Sequence, residues 1–520
     1  MIEPIKISNV KERDKDEIDR LHNFYEASLD KDHVKIHLNR LKIVIKLREL
    51  GFYRFDQPDG TSQLVRVDQN KIKVTTKSII TDALEDYIRQ LPDRQHEFRI
   101  SEDTFASRTI TSQHILEQLY QGGIGTYLTP EILDRLRPDE PIELLTDGKT
   151  SKWFYFNNTA VKVTEDKIIP VPYNELDRLI WENSIINRNF DYSNNLGDFE
   201  TFISDITGND EGRKKCLMSM IGYLLHDFYE TDLRAVLLTD VNKDDFSENA
   251  GGTGKGLIGK ALGQMLNREK ADNRYCTIPG KGLDLSDKNR YDRADISTQL
   301  IHIEDIEASR FNFELLYNDI TDGATLSKKY QITPTMRLIK FMISTNKTID
   351  VRGSSNRRRL VIFELSNYYS DSFRPIDKFG RRFFESSWRE DDWNDFYTFM
   401  MRCCMIYLSE GIIEAGQVNY NERFLKEKIG EDFIFLFEQY LNHAVITGSR
   451  VEVVKQQLYQ DYCNRYCLSG KRPAQRTITN YCRTYLQLKN AKYCEIRSGN
   501  DLIIVNPTTS DYELARIQRK

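Results

Sequence analysis

The run Asn249-Ala-Gly-Gly-Thr-Gly-Lys-Gly256 carries the physical parts of a phosphate cradle. Gly251, Gly252 and Gly254, with Thr253 between them, let successive backbone N–H groups turn toward anionic oxygens, and Lys255 adds a point charge. The helical run LIGKALGQML that follows Gly256 aims its positive end at the same place. Two positions depart from GxxxxGK[ST]: Asn249 stands at the first glycine, and Gly256 replaces the Ser or Thr whose hydroxyl would reach Mg2+. Taken alone, the run also fits an ordinary Gly-rich turn between strand and helix.

Three further stretches have chemistry in the right order. STQLIHIEDIEAS is an apolar strand ending in Glu304 and Asp305, which suits a Mg2+ ligand and a general base for an attacking water, although an acidic pair there also fits a solvated turn. RLIKFMISTN is a second buried strand ending in Ser344, Thr345 and Asn346, and an amide at that tip can orient water and sense a γ-phosphate, or simply cap a turn. Arg357, Arg358 and Arg359 then precede the strand LVIFEL and suit either a solvated cluster or a guanidinium offered to a neighbouring subunit's nucleotide.

These residues need a parallel sheet to hold them. DLRAVLLTD, before the glycine loop, reads as a buried strand, and residues 198–230 before it read as helical. Further upstream, residues 9–50 read as helical on the spacing of Val34, Ile36, Leu38, Leu41, Ile43, Val44, Ile45 and Leu47. GFYRFD, QLVRV and KIKVTT read as a meander, SIITDALEDYIRQL as a helix, KWFYFNN and AVKVTED as a β pair, and NELDRLIWENSII as an amphipathic stretch.

The chain has 520 residues with 74 Lys+Arg against 79 Asp+Glu, so composition makes no case for a nucleic-acid coat or a polybasic membrane anchor. At 39% hydrophobic it is in the globular range, no apolar run spans a bilayer, and the charged start predicts a cytosolic (cytoplasmic) protein without a membrane partner. Eight dispersed cysteines predict reduced thiols, and Cys463, Cys467, Cys482 and Cys494 lack a zinc-finger spacing. Charge is nonetheless polarised: residues 443–520 hold 13 Lys+Arg against 6 Asp+Glu. Helices over VEVVKQQLYQDYCNRYC and QRTITNYCRTYLQL, then a hairpin through SGND, read as a winged helix. Arg476, Asn480 and Arg483 on its second helix face DNA, the alternative being a module for protein contacts.

In order and spacing the central motifs resemble the A, B, B′ and C series of superfamily 3 helicases within the AAA+ fold, more closely the poxvirus-D5-like helicases of phages and mobile elements, including the helicase half of primase–polymerases. The resemblance covers about residues 195–370. It implies ATP with Mg2+ as cofactors: Gly252 to Lys255 in motif A, Glu304 and Asp305 in motif B, Asn346 as sensor, and Arg357 or Arg358 as the finger. It maps motif B′ to ITDGATLSKKYQITPTM, with Lys328, Lys329 and Tyr330 at a hairpin tip that grips single-stranded DNA.

The expected fold is α/β: an AAA+ P-loop NTPase core with a parallel sheet at 233–370, an N-terminal α+β domain at 1–190, a helical collar at 191–232, a helical extension at 371–442 and a winged-helix domain at 443–520. The expected function is an ATP-dependent replicative DNA helicase moving on single-stranded or forked DNA as a ring, with hexamers and 3′→5′ polarity implied by the resemblance. The Asp14-Lys15-Asp16 pair lies in a charged helical run, so priming is expected from a separate primase or polymerase. The alternatives are an AAA+ origin-binding or regulatory protein with weak or no ATPase, and a P-loop kinase of small molecules.

Overall fold

The computed structural model describes residues 25–30, 33–56, 62–100, 104–121, 123–229, 233–241, 253–267, 273–295, 297–307, 311–326, 335–350, 354–467 and 472–518. They fall into two compact units. One comprises residues up to 147 with 153–162 and 169–190, and the other comprises 148–152, 163–168 and 191 onward.

In the first unit the helical expectation for 9–50 holds only over Arg40–Glu49; residues 9–24 lie outside the described residues. Tyr25–Asp30 and His33–Leu38 instead form an antiparallel hairpin with Tyr25 opposite Leu38. The reason is a period of two: Ile36 and Leu38 are buried, while Lys35 and His37 are exposed. Asn39 then starts the helix by accepting from the Leu41 and Lys42 amides. The expected meander is present as Phe52–Asp56, Ser62–Asp68 and Lys71–Val74, followed by a helix over Lys77–Arg89. The amphipathic stretch at 174–186 makes two 3-10 turns and two short strands, with Ile180 buried by pairing alongside Lys71 at a sheet edge.

The second unit is built on a five-stranded, wholly parallel sheet of β1 (Ala235–Asp240), β2 (Tyr275–Pro279), β3 (Leu300–Glu304), β4 (Lys340–Ser344) and β5 (Leu360–Leu365), in the spatial order β2-β3-β4-β1-β5. Every residue of β1 is buried, as a central parallel strand with both faces covered demands. The chain leaves β1 for the far edge and returns to both its sides, so the crevice at its carboxyl end is where such sheets bind ligands. Helices α1 (Asp198–Ile206), α2 (Glu211–Leu225) and α3 (Lys255–Leu266) support it, the first two separated by a turn at Thr207–Asp210. α4 (Glu390–Glu410) packs on α2, and α5 (Tyr420–Ile429) runs directly into α6 (Glu431–Leu441).

The last residues form β6 (Val451–Val454), α7 (Lys455–Tyr466), α8 (Gln475–Leu488), and the hairpin β7 (Tyr493–Ser498) and β8 (Asn500–Val505), with β8 central in a three-stranded sheet. Their core is shared with α5 and α6 through Leu425, Phe433 and Phe437. None of the eight cysteines forms a disulfide, and seven are buried. Among the described residues no helix is long and apolar enough to cross a membrane.

Candidate nucleotide-phosphate site

Register decides what meets at the carboxyl edge. Leu238 pairs with Ser344 and Ser344 with Glu304, so two residues past the Leu238–Ser344 pair come Asp240 on one strand and Asn346 on the other. Lys255, the first residue of α3, points into this edge. Its Nζ donates to Asn346 Oδ1 at 2.5 Å, to the Asp240 carboxylate, and to Thr253 Oγ1 at 3.3 Å. Thr253 in turn donates its hydroxyl to Asp240 Oδ1 at 2.5 Å. Asp240 is 0% exposed.

The start of α3 is shaped by Gly254, whose φ of +113° lies in the left-handed region. A Cβ there would stand 2.5 Å from the Phe202 ring, so conformation and space both demand glycine. The first turn of α3 carries no acid, which leaves its positive end uncompensated by its own side chains. Gly256 differs: nothing lies within 4 Å of where its Cβ would be, so space does not exclude a hydroxyl-bearing residue.

Glu304 ends β3 half-exposed beside His302, with Oε1 3.3 Å from Nδ1. Burial, and then the neighbouring Asp305 charge, push the Glu304 carboxyl above its ordinary range, against the pull of Lys260. Asp305, exposed, takes a left-handed φ of 53° and donates its amide to the Ser344 carbonyl at 3.0 Å, just past the end of β3. Burial lowers the Lys255 pKa, and the charges of Asp240 and Asp305 act against that fall. His302 is fully buried between the Tyr275 hydroxyl at 2.6 Å and Ser344 Oγ at 2.9 Å, and burial takes it down to about 3, so its imidazole is neutral.

Two residues of the site were not singled out in the sequence. Asp240 is the last letter of AVLLTD, an acid at a strand's carboxyl end, and that position was its available signal. Arg423 comes from α5, about 170 residues beyond the loop. It is buried and donates to the backbone carbonyls of Asp240 and of Asn346, the latter at 3.0 Å. Nothing in an amphipathic helical run marks such a residue.

The remaining expected residues are dispersed or undescribed. Gly251, Gly252, Lys328, Lys329, Tyr330 and the Arg357 side chain lie outside the described residues. The stem of the hairpin expected to be motif B′ is described, with Ala324 opposite Arg337 and Leu326 opposite Thr335. Arg358 is exposed on the short helix Ser354–Arg359, while Arg359 lies over the Tyr317 ring at 4.7 Å. On α8, Arg476 and Asn480 are exposed, but Arg483 is committed to Glu495 of β7 at 2.6 Å and to Asn480 Oδ1 at 3.0 Å.

The edge of β1 can therefore bind an anion through a buried ammonium and a helix end, with carboxylates and an amide alongside. A second cleft, about 1000 Å³, is lined by Asn312, Glu314, Asp350, Asn356 and Glu414 among others.

No family model matches the chain, and no curated protein matches it. Among solved structures, an A form apo structure of the NrS-1 C-terminal region is 12% identical, with 90% of this chain and 99% of that chain covered at TM-score 0.41. An apo structure of the same region is 11% identical over 90% and 98% at TM-score 0.39. The Aeropyrum pernix ORC2 protein, in ADPNP and ADP complexes, is 11% identical over 58% and 91% at TM-score 0.23. At this depth a likeness carries nothing about the site, which rests on its own geometry.

Proposed function

We propose that the chain is an ATP-driven DNA helicase of the superfamily 3 type, moving on single-stranded DNA as a ring in the replication of a phage or mobile element. The observation that carries the reading is the Lys255–Asn346 hydrogen bond at the carboxyl end of a parallel sheet, with the acids of β3 beside it. It brings phosphate charge, sensor amide and catalytic carboxylates to one edge. Lys255 and the α3 N-terminus bind the phosphates, Asn346 orients the attacking water, and the Glu304–Asp305 pair accepts its proton. Arg358 or Arg357 of one protomer completes the neighbour's site.

Mg2+ suits this donor set. The described residues hold no group of three or more potential ligands, and Mg2+ is commonly held by one or two carboxylates together with waters and substrate phosphates. Glu304 and Asp305 supply those carboxylates, and the ion would neutralise charge on the β- and γ-oxygens. Beside the first turn of α3, a cleft of about 300 Å³ lined by Leu257, Lys260, Arg374, Ile376 and Phe383 offers apolar and cationic surface for the rest of a nucleotide. Lys328, Lys329 and Tyr330 then grip DNA in the ring, and α8 of a C-terminal winged helix contacts duplex through Arg476 and Asn480.

A second reading, an AAA+ regulator that uses nucleotide to assemble without unwinding, is favoured by Gly256, which lacks a hydroxyl although there is room for one. DNA-stimulated ATPase and strand displacement on a forked oligonucleotide separate the two. A motor unwinds and loses unwinding in Lys255→Ala and Lys328→Ala, whereas a regulator binds DNA and has no unwinding to lose.

A further inference from the structure

Asp240 has no task in the reading above, yet it is the most deeply buried charge at the site. An ammonium has three N–H donors. Those of Lys255 are met inside the protein by the Asp240 carboxylate, Asn346 Oδ1 and Thr253 Oγ1, so a phosphate oxygen must take the place of one acceptor. Of the three, Asp240 is the one that a phosphate competes with as anion against anion. It also has other holds, for it accepts from the Thr253 hydroxyl at 2.5 Å, and the Arg423 guanidinium lies on its own backbone carbonyl. The carboxylate can therefore release the lysine without leaving its place.

We propose that Asp240 is a resident counter-ion that competes with nucleotide phosphate for Lys255, and so sets the affinity of the site for nucleoside triphosphates. This rests on the nucleotide reading of Lys255. A buried ion pair is a poor source of net stability, because desolvation offsets its attraction. A charge placed opposite the phosphate-binding lysine acts instead as a brake on binding. Asp240 is then a positioning residue: it keeps the long Lys255 side chain aimed along the sheet edge and concedes it to the stronger polyanion. The other charges facing Lys255 are Asp305 and Arg423, of which Asp305 adds to its hold and Arg423 opposes it.

The test is a titration of a fluorescent ATP analogue against wild type, Asp240→Asn, Asp240→Glu and Lys255→Ala. Asn removes the charge and keeps one acceptor oxygen of the two, its NH2 taking the place of the other. Asp240→Asn is expected to bind the analogue at least about tenfold more tightly and to lower KM for ATP more than it changes kcat, while Asp240→Glu stays near wild type. Unchanged or weaker binding by a folded Asp240→Asn overturns the proposal. Should that variant not fold, a cryo-EM structure of the wild type with a non-hydrolysable triphosphate decides. Lys255 Nζ on phosphate and parted from Asp240 supports the proposal, and Nζ still on Asp240 refutes it. If Lys255→Ala binds as well as wild type, the nucleotide reading itself fails; if only Asp240→Asn disappoints, that reading survives alone.

Discussion

Arg423 donates to the backbone carbonyl of Asn346 at 3.0 Å, while the side chain of the same asparagine accepts from Lys255. Asn346 is thus held from behind by a helix remote in sequence. On that helix Tyr420 bonds both backbone groups of Ile349, and Glu427 accepts from the Thr348 amide and hydroxyl. α5 continues through Gly430 into α6, whose Phe433 and Phe437 belong to the core of the C-terminal domain. The tip of β4 therefore has a packed route, through α5 and α6, to the core of residues 451–505.

Removing the clamp takes a charged donor from the buried carbonyl of Asp240 and from the part-buried carbonyl of Asn346. Arg423→Ala is expected to lower unfolding free energy by about 2–4 kcal/mol, and Arg423→Lys to recover little of it, since an ammonium lacks the planar fork that reaches both carbonyls. Urea unfolding measures both, and full recovery by lysine contradicts the clamp.

The two glycines flanking Lys255 should respond oppositely. Gly254→Ala meets Phe202 and a left-handed backbone, and should cost about 2–4 kcal/mol. Gly256→Ala should be neutral or stabilising by up to about 1 kcal/mol. Gly256→Ser should match it in stability but raise Mg2+-dependent turnover; equal turnover in the two variants would mean that the hydroxyl is not what the site lacks.

The acids of β3 should separate binding from chemistry. Glu304→Gln and Asp305→Asn are each expected to bind ATP near wild-type affinity while hydrolysis falls at least about a hundredfold. Because the Glu304 carboxyl is raised above its ordinary 4.5, wild-type turnover should fall with acidification at a pH above that value, and Glu304→Gln should lose this limb. A pH–rate profile unchanged by the substitution would remove Glu304 from the reaction.

His302 gives a stability signature. Its folded value of about 3 lies below the ordinary 6.5, so between these limits the unfolded chain binds the extra proton and stability is lost as pH falls. Unfolding free energy should drop by up to about 1.4 kcal/mol per pH unit across this window, and His302→Asn should flatten that slope. Denaturant midpoints at several pH values read it.

The residues that meet at the sheet edge were partly legible in the sequence because the chemistry expected of them confines residue types to short runs: Gly254 and Lys255 of one loop, and the acids and amide that end two apolar strands. What escaped depends on tertiary structure. Asp240 gains meaning from a strand register, and Arg423 from a helix packing across the sheet ends. The hairpin at 25–38 was hidden by Val34, Ile36 and Leu38, whose period of two runs into the helical spacing of residues 41–47. Arg483 looked available on a helix face, but Glu495 on the following strand claims it.

Equilibrium binding of a fluorescent ATP analogue to wild type and Lys255→Ala, each first shown to be folded by circular dichroism, tests the proposed nucleotide site most directly. The expected result is saturable, Mg2+-dependent binding by the wild type and a loss of at least about a hundredfold in the variant. Equal affinity in the two proteins, or no binding by the wild type, would contradict it.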